Sequence, residues 1–242
     1  MKLDLHIHSL HSSDGAMSIK TIIETAQKRG LDGIAICDHN VFAAYEEAVA
    51  LAPPGFLVIP GVEYSTQSGH ILALFVSRFY EQEAGATGLR TVDQLRADAD
   101  ADHALLVAAH PFRKRAVVPV GLFESMDGIE VRNSRDAASA PANSQKASNA
   151  AEKYQKFAIG GSDAHIAHEI GACFTRLPDE TEPTLSGVRA ALEHKLSQGG
   201  GAGGRLSDQA IGKLRRTKPK TFAKDVTRLV VFTVKDVTKK WH

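Results

Sequence analysis

Apolar and polar residues alternate through KLDLHIH (2–8), the period of a strand with one buried face. Ser18 then precedes IKTIIETAQKRG, where Ile19, Ile22, Ile23 and Ala26 fall at helical spacing and Gly30 follows, which predicts a capped helix. DGIAICDHN reads as a short buried strand running into polar residues. The alanine-rich FAAYEEAVALA reads as a helix stopped by Pro53, Pro54 and Gly55. FLVIPGVE, GHILALFV, ALLVAAHPF, DGIEVRN, FAIGGSDAH and ACFTRL are further strand-like runs. TVDQLRADADA, ANSQKASNAAEKYQ and TLSGVRAALEHKL are helical. This repeated strand–helix order predicts an α/β fold with a largely parallel sheet.

Polar residues interrupt the apolar runs at the same place each time. His6 and His8 stand at or near the end of the first strand, Asp38 and His39 end the second, and Glu63 follows the third. His110 ends another, Glu130 lies in a later one, and Asp163 and His165 end the last long one. In parallel α/β sheets the carboxyl ends of the strands open onto one face, so residues scattered in sequence converge in space.

Composition changes this picture little. The chain has 242 residues, 43% hydrophobic and 24% charged, as expected of a globular chain able to bury a core without staples. Its two cysteines, Cys37 and Cys173, form no CxxC pair, which fits a reducing compartment. The first residues read as strand rather than signal peptide, and no run approaches the ~18 apolar residues of a membrane helix. The expectation is a cytosolic protein with no membrane span.

Charge matters more. Residues 1–200 carry 18 Lys and Arg against 25 Asp and Glu, a net of −7; residues 201–242 carry 11 against 3, a net of +8. The sequence therefore divides into a body, 1–198, and a tail, 199–242. The tail begins with a Gly-rich stretch, QGGGAGG, read as a flexible linker. A basic segment follows, with apolar residues at helical spacing from Phe222 to Trp241.

His6, His8, Asp14, His39, Glu63, His70, His110, Asp163 and His165 are candidate metal ligands. Imidazole nitrogen with carboxylate oxygen suits zinc, manganese or iron. His6-x-His8 and Asp163-x-His165 each put two donors on one strand face. One ion takes about four or five ligands, so nine candidates imply two or three ions sharing carboxylates. A lone HxH or DxH is ordinarily a packed or surface pair. Charged groups at several strand ends are harder to ascribe to packing, because burying unpaired charge is costly. His11, His103, His168, His194 and His242 are expected outside the cluster.

DLHIHSLHSSDG, AICDHN, PGVEYST, GHILAL, AAHPFR, GIEVRN and GGSDAH, in this order over residues 1–178, resemble the motif series of the PHP (polymerase and histidinol phosphatase) family, in its short stand-alone phosphoesterase branch. The resemblance implies a distorted seven-stranded (β/α) barrel with two or three metal ions at its C-terminal mouth. It assigns a first ion to His6, His8, Glu63 and Asp163. Glu63 would bridge to a second with His70 and His110, and a third would take Asp14, His39 and His165; His11 is the other candidate for the place of Asp14.

The implied chemistry is hydrolysis of a phosphate ester, of a nucleotide or another small phosphorylated metabolite, through a metal-activated hydroxide. Asp14 or His165 would handle a proton. Asp38 either orients a ligand histidine or caps the loop after its strand. Arg113 and Arg135 are candidate phosphate contacts, because the guanidinium fork matches phosphate oxygens. Glu130 is read as a supporting or substrate group. No P-loop, dinucleotide-binding or nucleophile-elbow motif is present. The alternative is a nuclease of the same barrel acting on short RNA or DNA, with the basic tail binding nucleic acid. Other readings of the tail are docking to a membrane surface or protein partner, or packing on the acidic body. Carbon–nitrogen hydrolysis shares the ligand chemistry but usually adds a metal-bridging lysine at a strand end, which the sequence lacks.

Overall fold

Local sequence sets most of the elements. Ser18 caps α1 (Ile19–Lys28) by accepting from Thr21 N–H, and Gly30 leaves the helix at φ +65°. The four apolar residues expected on one face of α1 are its four buried ones, and burying a side chain such as Ile22 contributes roughly 1.5–3 kcal/mol. Thr91 and Gln94 form a reciprocal capping box at α3 (Val92–Asp102). The remaining helices are α2 (Tyr45–Leu51), α4 (Ser134–Ser139), α5 (Ala142–Lys153) and α6 (Leu185–Glu193). The structure is a computed structural model that describes residues 1–81, 89–113, 118–119, 121–204, 229, 231–233 and 235–236.

The strands are β1 (Lys2–Ile7), β2 (Gly33–Ile36), β3 (Leu57–Thr66), β4 (Gly69–Leu74), β5 (Leu105–Ala108), β6 (Gly128–Asn133), β7 (Phe157–Gly161), β8 (Cys173–Arg176) and β9 (Gln198–Gly201). They form one sheet in the order β7-β6-β5-β4-β3-β2-β1-β8-β9. The end of β7 returns to the end of β1, where Ile7 bridges Ala164 and His8 N–H donates to the Ala164 carbonyl at 2.9 Å. Seven strands thus close nearly into a barrel, and the β8–β9 hairpin extends the sheet from β1 and packs against β7 at Gly160.

Two expectations need correction. The sheet is mixed rather than largely parallel: β4 is antiparallel to both β3 and β5, and β8 is antiparallel to both β1 and β9. Only Gln67 and Ser68 separate β3 from β4, and so short a loop can only reverse the chain. Secondly, the Gly-rich stretch from 199 does not begin a linker. Residues 198–201 are β9, paired with Arg176–Cys173 of β8. The tail from 205, apart from the few helical positions described, lies outside the described residues. Among the described residues no helix is long and apolar enough to cross a membrane.

The barrel interior is layered. Leu3, Leu5, Ile59, Leu72, Leu105 and Ile159 fill its lower part, closed below by Val188 and Leu192 of α6. The register of β1 against β2 shifts between Asp4 and Ile7. Past that bulge Ile7 packs outward with α1 and α2 instead of with Leu3 and Leu5. Polar residues occupy the upper layer.

Candidate metal centre

Each strand end delivers its polar residue to the upper layer. His6 and His8 leave β1 on one face, their Nε2 atoms 3.2 Å apart. His39 follows β2 and bridges to Glu63 of β3. The β3–β4 hairpin folds His70 back so that its Nδ1 lies 2.9 Å from Glu63 Oε1. His110, just past β5, and Asp163, just past β7, sit at positive φ, 29° and 52°. Such backbone costs on the order of 1–3 kcal/mol per residue and tends to persist where function requires it.

Glu63 is the centre of the arrangement. His6 Nε2 and His8 Nε2 are each 3.2 Å from Oε2, and His39 Nδ1 is 3.1 Å from it. His70 Nδ1 and His110 Nε2 face Oε1 at 2.9 and 3.1 Å. Asp163 Oδ1 lies 3.3 Å from His8 Nε2 and 3.9 Å from His6 Nε2. Asp14 Oδ2 is 2.7 Å from His165 Nε2 and 3.6 Å from His39 Nε2. The donors converge into overlapping groups, each with its ligand atoms within 4.8 Å of one another: His8, Asp14, His39 and His165; His6, His110 and Asp163; His6, His8 and Glu63; His39, Glu63 and His70.

These residues fit divalent cations. Glu63 Oε2 and His39 Nδ1 are buried and make no hydrogen bond, although three ring nitrogens stand within 3.2 Å of that oxygen. The atoms are close, yet the contacts at that oxygen do not form a hydrogen bond. A cation satisfies lone pairs so arranged, whereas leaving them unpaired is expensive.

Electrostatics point the same way. Burial pushes the Glu63 carboxyl up, but the charge of His6 and the His110 contact outweigh it and hold it well below the usual range. Arg113 and His6 do the same against burial for Asp163. Burial presses the His8 imidazolium down, yet Asp163 and Glu63 lift it to about 9. Burial, then the neighbouring His8 charge, brings His165 down to about 4.

The structure therefore brings together all nine candidate ligands. His11 is excluded, turned toward Glu47 at 3.7 Å with its side chain 39% exposed. Among the described residues Asp38 holds no histidine. Its oxygens accept from Ser9 N–H and Ser9 Oγ, both at 2.6 Å, so it takes the loop-holding role. Arg113 reaches the centre through protein contacts: Nε to Asp136 at 2.6 Å, and Nη2 to Asn133 at 2.9 Å and Asp163 Oδ2 at 2.7 Å. Arg135 Nη1 lies 3.1 Å from His165 Nδ1. Sequence reasoning missed Glu169, a buried carboxylate in a single 3-10 turn that accepts from His165 N–H at 2.8 Å. No periodicity marks such a turn.

Comparison with known proteins identifies the family and the fold. The PHP domain family model matches residues 4–118, and a second family model, PHP-associated, matches 141–195. The chain is 30% identical over 199 residues to an uncharacterized protein of Methanocaldococcus jannaschii, covering 76% of each chain. It is 25% identical over 214 residues to a 5'-3' exoribonuclease of Haemophilus influenzae, covering 81% of this chain and 69% of that one. Among solved structures, a two-domain protein of Bacteroides vulgatus containing a predicted PHP-like metal-dependent phosphoesterase superposes with TM-score 0.66 at 22% identity, over 88% of this chain and 68% of that one, a likeness of fold.

Proposed function

This chain belongs to the PHP family, and from that premise we propose that it is a metal-dependent phosphoesterase acting on a nucleotide or another small phosphorylated metabolite. The observation that carries the reading is the division of Glu63, whose Oε2 faces His6 and His8 while Oε1 faces His70 and His110. That is the disposition of a bridging carboxylate. In this reading His6, His8, Glu63 and Asp163 hold one zinc, manganese or iron ion, and Glu63, His70 and His110 hold a second. Asp14, His39 and His165 complete a third site. Bound there, divalent ions would supply charge neutralisation for phosphoryl oxygens and an acidified water.

The other residues serve the substrate. Three of the five N–H groups of Arg113 go to Asp136, Asn133 and Asp163, which among the described residues leaves Nη1 for a phosphate oxygen. Arg135 adds positive charge beside His165. The Asp14 side chain is 30% exposed and bonded to His165, so with the third site empty this pair can pass a proton between the mouth and solvent. The test is hydrolysis by protein as isolated and metal-stripped of p-nitrophenyl phosphate, mononucleotides, nucleoside bisphosphates and short RNA. Release should require Mn²⁺, Zn²⁺ or Fe²⁺ and disappear in His8→Ala. Tight metal binding with no release from any substrate would reject the substrate class.

One observation favours the second reading, an exonuclease on short RNA or DNA. Gly204 N–H donates to the Ser134 carbonyl at 3.1 Å, and Ser134 adjoins Arg135 of the centre. The basic tail is therefore attached beside the mouth, where its cations can meet the phosphates of a longer substrate. The exoribonuclease name of the Haemophilus influenzae relative supports this reading.

A further inference from the structure

Glu130 on β6 is a buried carboxylate that belongs to none of the candidate ligand groups. Its oxygens are nonetheless occupied. Oε1 is 3.0 Å from His6 Nδ1, and Oε2 accepts from His110 N–H at 2.8 Å and Asn133 Nδ2 at 3.0 Å. An ionised carboxylate only accepts, so the proton in the His6 contact sits on Nδ1. When the ring loses its second proton, as metal binding requires, the lone pair is left on Nε2, which faces His8, Glu63 and Asp163.

Asn133 continues the path. Its Oδ1 accepts from Arg113 Nη2 at 2.9 Å and from the N–H groups of Arg135 and Asp136 at 3.1 and 3.3 Å, which fixes its amide orientation. Arg113 Nη2 also donates to Asp163 Oδ2. A continuous set of hydrogen bonds thus links His6 to Asp163 through three side chains that are not ligands. Gly161 on β7 leaves room for it, since a Cβ there would lie 2.4 Å from His6 Cβ and 2.8 Å from Glu130 Oε1.

We propose that Glu130 is the positioning residue of the metal centre: it selects the His6 tautomer that turns Nε2 toward the ion and, through Asn133 and Arg113, orients Asp163 on the same ion. This rests on the metal-centre reading above. Residues that hold a ligand histidine by its second nitrogen are typically worth about 10- to 100-fold in metal affinity.

Glu130→Gln tests it with little change of shape. The backbone N–H of His110 cannot turn away, so the glutamine carbonyl stays with it and the amide NH₂ faces His6 Nδ1. That nitrogen must then accept, the proton moves to Nε2, and the lone pair facing the ion is lost. Zinc titration against a competing chelator should show a 10- to 100-fold loss of affinity at the tightest site, with the circular dichroism of the folded protein retained. In ¹⁵N-resolved NMR of the zinc-loaded protein, the exchange-protected Nδ1–H of His6 should be present in the parent and absent in the variant. Affinity within threefold of the parent with that resonance retained would overturn the proposal. Failure of the parent itself to bind zinc would overturn the proposed function as well. Should Glu130→Gln not fold, Asn133→Ala decides: a threefold or greater loss of zinc affinity supports the linked set, and unchanged affinity overturns it.

Discussion

His8 illustrates how one residue couples protonation, folding and metal binding. Asp163 and Glu63 lift its imidazolium to about 9 against the downward push of burial. In the metal-free protein this pairing stabilises the fold fully below about 6.5, the ordinary imidazole value, and the contribution is lost as pH rises through 9. A metal ion needs the ring deprotonated, so its apparent affinity must rise over the same interval, with proton release on binding. Differential scanning calorimetry at pH 6.5 and 9 should show a falling Tm for EDTA-treated protein at the higher pH and a larger gain from added Mn²⁺. A metal-conferred gain in Tm that does not change with pH would contradict this account of the centre. His70 shows a different limit. Its chemistry is plain in the sequence, but its contact with Glu63 exists because Ser65 pairs with His70 and Glu63 with Leu72 across the β3–β4 hairpin.

Among the elements, β9 departs furthest from its sequence. A run of glycines reads as a flexible tether, yet here it packs tightly. A Cβ at Gly199 would lie 2.7 Å from Val131 Cγ2, and one at Gly200 would lie 2.7 Å from the Phe174 ring. Glycine is present because neighbouring backbone and side chains approach too closely for anything larger. The hairpin it completes is tied to the barrel by Thr175, whose hydroxyl accepts from Gly160 N–H at 3.0 Å and donates to the Gly160 carbonyl at 2.9 Å. Thr175→Val keeps the shape and strands both buried groups, so it should cost about 1–3 kcal/mol in chemical unfolding. An unchanged midpoint would mean that the Thr175–Gly160 pair contributes nothing to holding the hairpin on β7.

For the whole molecule, the division of charge is the leading feature. A body of net −7 disfavours a polyanion, the mouth gathers Arg113 and Arg135, and a tail of net +8 is joined at Gly204 beside that mouth. If the tail recruits nucleic acid, ending the chain after Gly204 should lower kcat/KM for a short RNA by at least about tenfold and flatten its salt dependence. Hydrolysis of p-nitrophenyl phosphate should be unaffected. Equal losses on both substrates would instead assign the tail to the fold.

The sequence by itself determined most of the order of strands and helices, the cap at Ser18, and the donor types that meet at the barrel mouth. Those properties are local: period, capping chemistry and ligand identity are carried by neighbours in the chain. Tertiary structure decided the antiparallel course of β4, the use of the glycine run as a strand, and the choice between roles for Asp38, which holds Ser9. It also decided which oxygen of Glu63 each histidine faces and how Glu130 meets His6 across 124 residues. These outcomes depend on strand pairing, on close approach of distant backbone and on the phase shift in β1. Each is set by the energy of packing segments that are remote in sequence, which no local pattern encodes.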